Sequence, residues 1–421
     1  MFDLNLYSSG LLSFLFFAYF LVILFLFKMK LTSVFDPLFY HCIWLGSVFS
    51  FLTVYVIDRG ISYVAVMFFV SLIFYMVSLV IFLPGVDKFK SAQIPVFIFL
   101  KRHLLLLWLV FLYSKAHMLQ YFYENLSSPE LWFLYRFVDL QGRDALSRII
   151  GISVQPILMF VCYTNIFILK RHRKLSYISL ILLALMGVLG GGRSSIIVML
   201  LAAGGFFCLY YSLVSSALKR YSLAMYISGA AALAVLIWVG MYIKGAEINP
   251  FFIVLERFFA NADGIEYALK FDAIQRLDTG VEAYILSIFG VYLKSPLGLE
   301  YKNIGWQLSE MAYGYDLSFA QGANYTLPLQ VLVAGPYLFP FVMVLSAFIV
   351  VFLRRLVLFK ITKDLLFVLL CYQLLLSGFT FVVDAEFAVL KYISICSFTV
   401  FIWSLFWLMG GEHVKCVYGN V

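Results

Sequence analysis

Charge is scarce in this chain. Asp, Glu, Lys and Arg make up 12% of its 421 residues, about half the share of a soluble domain. Apolar types make up 64% and the mean hydropathy is +0.99, so polar side chains are too few to clothe a water-facing surface. Polar–apolar alternation is missing as well: the block LLSFLFFAYFLVILFLF at 11–27 is apolar on every side, which excludes the dyad pattern of a spanning β-barrel. The six cysteines contain no C-x-x-C pair, and five of them fall in apolar runs, so neither a disulfide framework nor a zinc site is expected. The sequence holds no P-loop, dinucleotide fingerprint, H-E-x-x-H or D-x-D. No cofactor and no metal are expected. Internal repeats and heptads are not found, and no cleavable signal segment is expected.

What the chain has is long apolar runs. Segments near 10–27, 38–57, 61–83, 98–118, 149–169, 175–191, 194–214, 222–243, 326–352, 365–383 and 387–409 approach the roughly 20 residues that span a bilayer. The expected fold class is an all-α polytopic membrane protein of about 11–12 transmembrane helices. Basic clusters (Lys28 with Lys30, Lys88 with Lys90, Lys101 with Arg102, KRHRK at 170–174, Lys219 with Arg220, Arg354 with Arg355) fall at alternate ends of these runs. By the positive-inside rule those ends are cytoplasmic. With Lys360, Lys363 and Lys415 they take 17 of the 30 Lys and Arg but only four of the 22 acids. The formal charge of +8 is therefore an orientation signal, and no nucleic-acid partner is expected. Eleven spans put the N-terminus outside and the C-terminus inside.

The expected organisation is an N-terminal bundle over 1–243, a large outer loop over 244–325, and C-terminal spans with a short tail over 326–421. The loop holds ten acids and six Lys and Arg but no histidine. In it, Asn249-Pro250 and Thr279-x-x-Glu282 read as helix starts. The aromatic stretch 119–148 reads as an amphipathic segment on the outer surface. Arg193, in GGGRSS at 190–195, is a cation at an outer span end, which marks a functional position or a tight turn whose arginine snorkels to water. Arg257, Arg276 and Lys294 in the loop, with Arg143 in the amphipathic segment, suit the gripping of phosphate. For the loop arginines, pairing with Glu256, Asp272 or Asp278 serves equally. Asp263 and Glu266 are the candidate catalytic carboxylates, able to take a proton from an attacking hydroxyl, although Asp263 can equally cap a helix. Asp384 and Glu386 form an acidic turn that either shapes a polar cleft or keeps the turn in water. His117, the histidine nearest the outer face, reads as a packed residue.

The layout, GGGRSS at an outer span end and the arginine-bearing loop segment LERFFANADGIEYALKFDAIQR together resemble the Wzy-type O-antigen and repeat-unit polysaccharide polymerases. That resemblance implies a GT-C-like membrane glycosyltransferase in the bacterial inner membrane, with its large periplasmic loop before the last spans. It implies undecaprenyl-diphosphate-linked oligosaccharide substrates joined at the periplasmic face and a chain-length regulator protein as partner. It also implies diphosphate held by Arg193, Arg257 and Arg276 without a metal, beside a carboxylate base such as Asp263. The family is drawn with twelve spans, one more than the hydropathy gives. An O-antigen ligase shares the layout but is expected to use a histidine in the large loop. A lipid-linked oligosaccharide flippase needs buried charge along a cavity and commonly shows repeats.

Overall fold

A segment that is apolar all round can satisfy its backbone in lipid only as a helix, and helices carry this chain. The computed structural model describes residues 7–90, 94–128, 145–189, 194–220, 262–297, 302–314, 323–359 and 364–409, with isolated positions at 131–132, 135, 234 and 259. Among the described residues there is no β-strand. The helices are α1 (Ser9–Phe27), α2 (Pro37–Arg59), α3 (Tyr63–Phe82), α4 (Val86–Lys90), α5 (Lys101–Ser114) and α6 (Ala116–Glu124), then α7 (Ala145–Tyr163) with a π-turn over Thr164–Ile168, α8 (Arg173–Leu189), α9 (Ser194–Leu209) and α10 (Tyr211–Arg220). The loop region supplies α11 (Asp263–Lys270), α12 (Ala273–Arg276), α13 (Val281–Leu297) and α14 (Ile304–Tyr313). The chain closes with α15 (Leu327–Arg355), α16 (Leu365–Ser377), α17 (Thr380–Val383) and α18 (Ala385–Leu408).

Seven helical stretches among the described residues are long and apolar enough to cross a membrane, and α5 with α6, bent by 60°, makes an eighth if counted as one span. This is a multi-pass membrane protein, and the described residues hold seven or eight of the eleven spans expected. α8 and α9 reach only 17 and 16 residues, and the expected span 222–243 lies outside the described residues apart from Ala234. Boundaries follow local chemistry. Asp36 caps α2, accepting from Leu38 N at 2.9 Å, with Pro37 at the first helical position and Gly60 at the far end. Ser62 caps α3 in the same way through Ala65 N. In the loop, α13 starts at Val281, one residue later than the Thr279 box places it. Gly280 opens the helix, its N–H donating to Val333 O and its carbonyl accepting from Tyr284 N.

Two hydrophobic clusters divide the bundle. One packs α1, α2 and α3 with α11 to α15 and the start of α18, and the other packs residues 94–99 with α5, α7, α8, α9, α16 and the C-terminal half of α18. Contacts also define two ends. At the basic end, Val86 N donates to Met29 O, Arg355 to Phe82 O, and Arg354 to Lys30 O. At the loop end, Tyr55 donates to Leu269 O and Ala385 N to Tyr325 O, so the described loop helices lie on the bundle instead of standing away from it.

Two spans are interrupted, the first of them near the loop end. Gly335 has φ of 76° inside α15, a left-handed conformation that only glycine adopts without cost. With Pro336 next to it, the break separates a buried limb, Leu327–Ala334, from the long span beyond. The penultimate span has a turn at Gly378-Phe379, between α16 and α17, where both residues keep right-handed helical dihedrals and Phe379 stacks on His41.

Candidate functional site

The loop end is assembled on the short buried segment Ala323–Thr326. α11 lies directly against it: a Cβ on Gly264 would come within 2.7 Å of Asn324 O and 2.8 Å of Leu329 Cδ1, so a bare backbone is needed for this approach. α14 binds it from the other side, where Ala323 N donates to Gly305 O and to Ser309 Oγ, each at 3.1 Å. The corner before α18 closes the site through the bond from Ala385 N to Tyr325 O at 3.0 Å.

Four carboxylates converge here. Asp263, half-buried in the first turn of α11, accepts from Gly264 N at 2.7 Å and from the Asn324 N–H. Burial pushes its carboxyl up to about 6; those two donors oppose the rise and the charge of Asp384 adds to it. Glu266 lies one turn further along α11 and is only 3% exposed. Burial raises its carboxyl too, and Tyr7 moderates the rise by donating to Oε1 at 2.9 Å. The Tyr7 phenol is itself raised, by burial first and the Glu266 charge second, so it remains a donor. Asp384 sits half-buried at the corner and is pushed up to about 6 by burial, against hydrogen bonds from the Phe387 and Tyr325 N–H groups and the nearby charge of Lys391. Glu386 is buried and accepts from Ile304 N and Gly305 N–H at the start of α14, a favourable place for a carboxylate. Asn303 completes that cap through Trp306 N at 2.8 Å.

These positions revise several sequence expectations. Asp263 and Glu266 do share one site. Asp263 also bonds the first turn of its own helix, the capping role that the sequence allowed. Asp384 and Glu386 are not in water; they are part of the same cluster. Arg276 ends α12 exposed, and neither Asp272 nor Asp278 pairs with it among the described residues. Lys294 lies on α13, and nothing of its side chain is described. Arg143, Arg193 and Arg257 lie outside the described residues, as do Asn249-Pro250 and, within 119–148, residues 129–130, 133–134 and 136–144. His117 is packed against Tyr135, with Nδ1 at 3.1 Å from the phenol oxygen.

Sequence reading missed Lys391, the cation of the corner. It sits half-buried seven residues along from Asp384 in a run otherwise apolar, and it donates to Thr380 Oγ1 at 3.0 Å. A lysine inside a span was itself the available signal. Tyr7 was missed for lack of any local signal.

Chemically, the site offers carboxyl groups whose proton affinity is close to neutral pH, which is what exchanging a proton with a substrate hydroxyl requires. Among the described residues no three His, Cys, Asp or Glu side chains converge as a metal would require. Fold and site together define a polytopic all-helical membrane protein with a carboxylate cluster at the end of its bundle where the long loop lies. Comparison with family models, curated proteins and solved structures gave no match.

Proposed function

We propose that this protein is a membrane glycosyltransferase, an O-antigen polymerase that joins undecaprenyl-diphosphate-linked oligosaccharide units at the periplasmic face of the bacterial inner membrane, within a GT-C-like fold. The observation that carries the reading is Asp263. It is a half-buried carboxylate at the mouth of a lipid-embedded bundle, held by backbone donors, with a proton affinity raised to about 6. In the proposed reaction a hydroxyl of the incoming unit attacks the anomeric carbon of the growing glycan. The new C–O bond forms as the anomeric bond to the diphosphate oxygen breaks, the electron pair leaves on the lipid diphosphate, and Asp263 accepts the hydroxyl proton. Arg193, Arg257, Arg143, Arg276 and Lys294 are the proposed diphosphate contacts, and a chain-length regulator is the proposed partner.

The test is a deletion strain complemented with the wild type or Asp263→Asn. The wild type restores a ladder of O-antigen on lipid A, and Asp263→Asn leaves single units. A full ladder from Asp263→Asn would remove the carboxylate from the reaction. Bare lipid A core in the deletion strain, with polymer retained on undecaprenol, would replace the polymerase by a ligase.

The break at Gly335-Pro336 favours a second reading, since transporters bind cargo at discontinuous helices. For a flippase, the deletion strain would accumulate lipid-linked units on the cytoplasmic face.

A further inference from the structure

Backbone that leaves helical geometry at membrane depth persists only where it is buried in protein or lines a polar cavity. Gly335 is such a place, and a turn at Gly378-Phe379 interrupts the penultimate span. The buried limb of α15 ahead of Gly335 carries Gln330, whose Nε2 donates to Phe381 O at 2.8 Å, beside the turn in the penultimate span. Gln330 is fully buried and its Oε1 has no hydrogen-bond partner; Thr326 Oγ1, one turn earlier on the same face and also fully buried, has none either. On the far side of that turn, Tyr392 OH donates to Ser377 O at 3.0 Å and Lys391 Nζ to Thr380 Oγ1 at 3.0 Å.

Lys391 lies about 9 Å down the helix from Ala385. A charge at that depth is costly without a counter-charge, yet among the described residues its hydrogen bond goes to a neutral hydroxyl and no ion pair closes on it. Asp384 is the acid whose charge it feels. An ammonium donates three hydrogen bonds, so two remain for a ligand. Asp263 and Asp384, once ionised, repel a phosphate group, which leaves Lys391 as the place for an anion.

We infer that Lys391 and Thr380, at the turn between α16 and α17, form a binding site for a phosphate-bearing group that enters from the membrane, with Lys391 as the anion contact. The inference deepens the lipid-diphosphate reading above and rests on it. Lys391 is a substrate-binding residue; the group transfer itself belongs to Asp263.

The test is binding by purified protein in phosphatidylcholine nanodiscs, with undecaprenyl diphosphate, phosphatidylglycerol or soluble inorganic diphosphate as separate probes. The expected result is undecaprenyl diphosphate binding that weakens at least tenfold in Lys391→Gln, stays within about threefold in Lys391→Arg, and weakens by a few-fold in Thr380→Val. Lys391-dependent binding of either other probe also supports the site and shows which source fills it. If Lys391 only neutralised Asp384, the double variant Lys391→Met with Asp384→Asn would regain binding, and that recovery overturns the inference. Wild-type affinity for all three probes in Lys391→Gln overturns it as well. Monodisperse elution of Lys391→Arg and Lys391→Gln separates lost binding from lost folding. Failure here is distinguishable from failure of the polymerase reading. Lys391-dependent binding in a protein whose deletion leaves polymer length unchanged upholds the site and removes the polymerase. A polymerase that needs Asp263 and is indifferent to Lys391→Gln does the reverse.

Discussion

The two ends of the bundle bury charge in opposite ways. At the basic end, Arg354 and Asp36 are 2% and 0% exposed, and their bond is bidentate: Nη1 to Oδ1 and Nη2 to Oδ2, each at 2.8 Å. Asp36 also accepts from Thr32 N, Thr32 Oγ1 and Leu38 N, and the guanidinium stacks over Phe89. Every carboxylate oxygen is used, and the pair ties the α1–α2 turn to α15 and α4. At the loop end, Asp263 and Asp384 have no guanidinium among the described residues and are held by backbone N–H groups. A buried carboxylate with a full counter-charge is a staple; one with only neutral donors keeps an affinity for protons. The first arrangement serves folding, and the second is the one that the proposed proton transfer uses.

The largest effect expected from breaking this contrast is at the basic end. Arg354→Met strands Asp36 as an uncompensated buried charge, at a cost of about 3–5 kcal/mol. The expected outcome is loss of folded protein on fluorescence-detected size exclusion, together with loss of polymer. Asp263→Asn is the converse case: normal elution with polymerisation lowered by at least about a hundredfold, the scale of a general base. Gly264→Ala forces a Cβ against Asn324 O and should cost about 1–3 kcal/mol, read as a lower unfolding temperature in detergent. Tyr7→Phe leaves Glu266 without its hydroxyl donor and should cost about 1–2 kcal/mol, measured the same way.

Stability against pH sharpens the comparison further. Asp36 is pushed up by burial but pulled lower overall by Arg354 and its backbone donors, so its contribution is present above the unfolded carboxylate value and lost as pH falls into the acid range. Asp263 and Asp384 are raised to about 6, so the folded state holds their protons more tightly than the unfolded chain does. Their contribution is greatest below about pH 4 and disappears as pH rises through 6. Asp263→Asn combined with Asp384→Asn should therefore reduce the fall in unfolding temperature between pH 5 and pH 7. An unaltered difference would show that the loop-end carboxyls are not raised.

Much of the membrane body was legible in the sequence. The runs expected at 10–27, 38–57, 365–383 and 387–409 correspond to helical stretches at Ser9–Phe27, Pro37–Arg59, Leu365–Val383 and Ala385–Leu408, because apolar periodicity and caps such as Asp36-Pro37 are local signals. Gly335-Pro336 was equally local, yet it lay inside an apolar run and read as continuous span. The site was legible only in part. Asp263 and Glu266 share one turn of helix, but their meeting with Tyr325, Asp384 and Glu386 joins chain segments far apart, which no local pattern encodes. Lys391 escaped because its neighbours are all apolar, although that isolation is what makes its charge costly.

The most direct test of the central claim is the pH dependence of polymerisation by the purified protein in nanodiscs. The account predicts a rate that climbs as pH rises through about 6, as the loop-end carboxyl loses its proton and becomes able to accept one from the attacking hydroxyl, and it predicts that Asp263→Asn removes both the rate and that ascending limb. An Asp263→Asn protein with the wild-type rate and the same limb would contradict it.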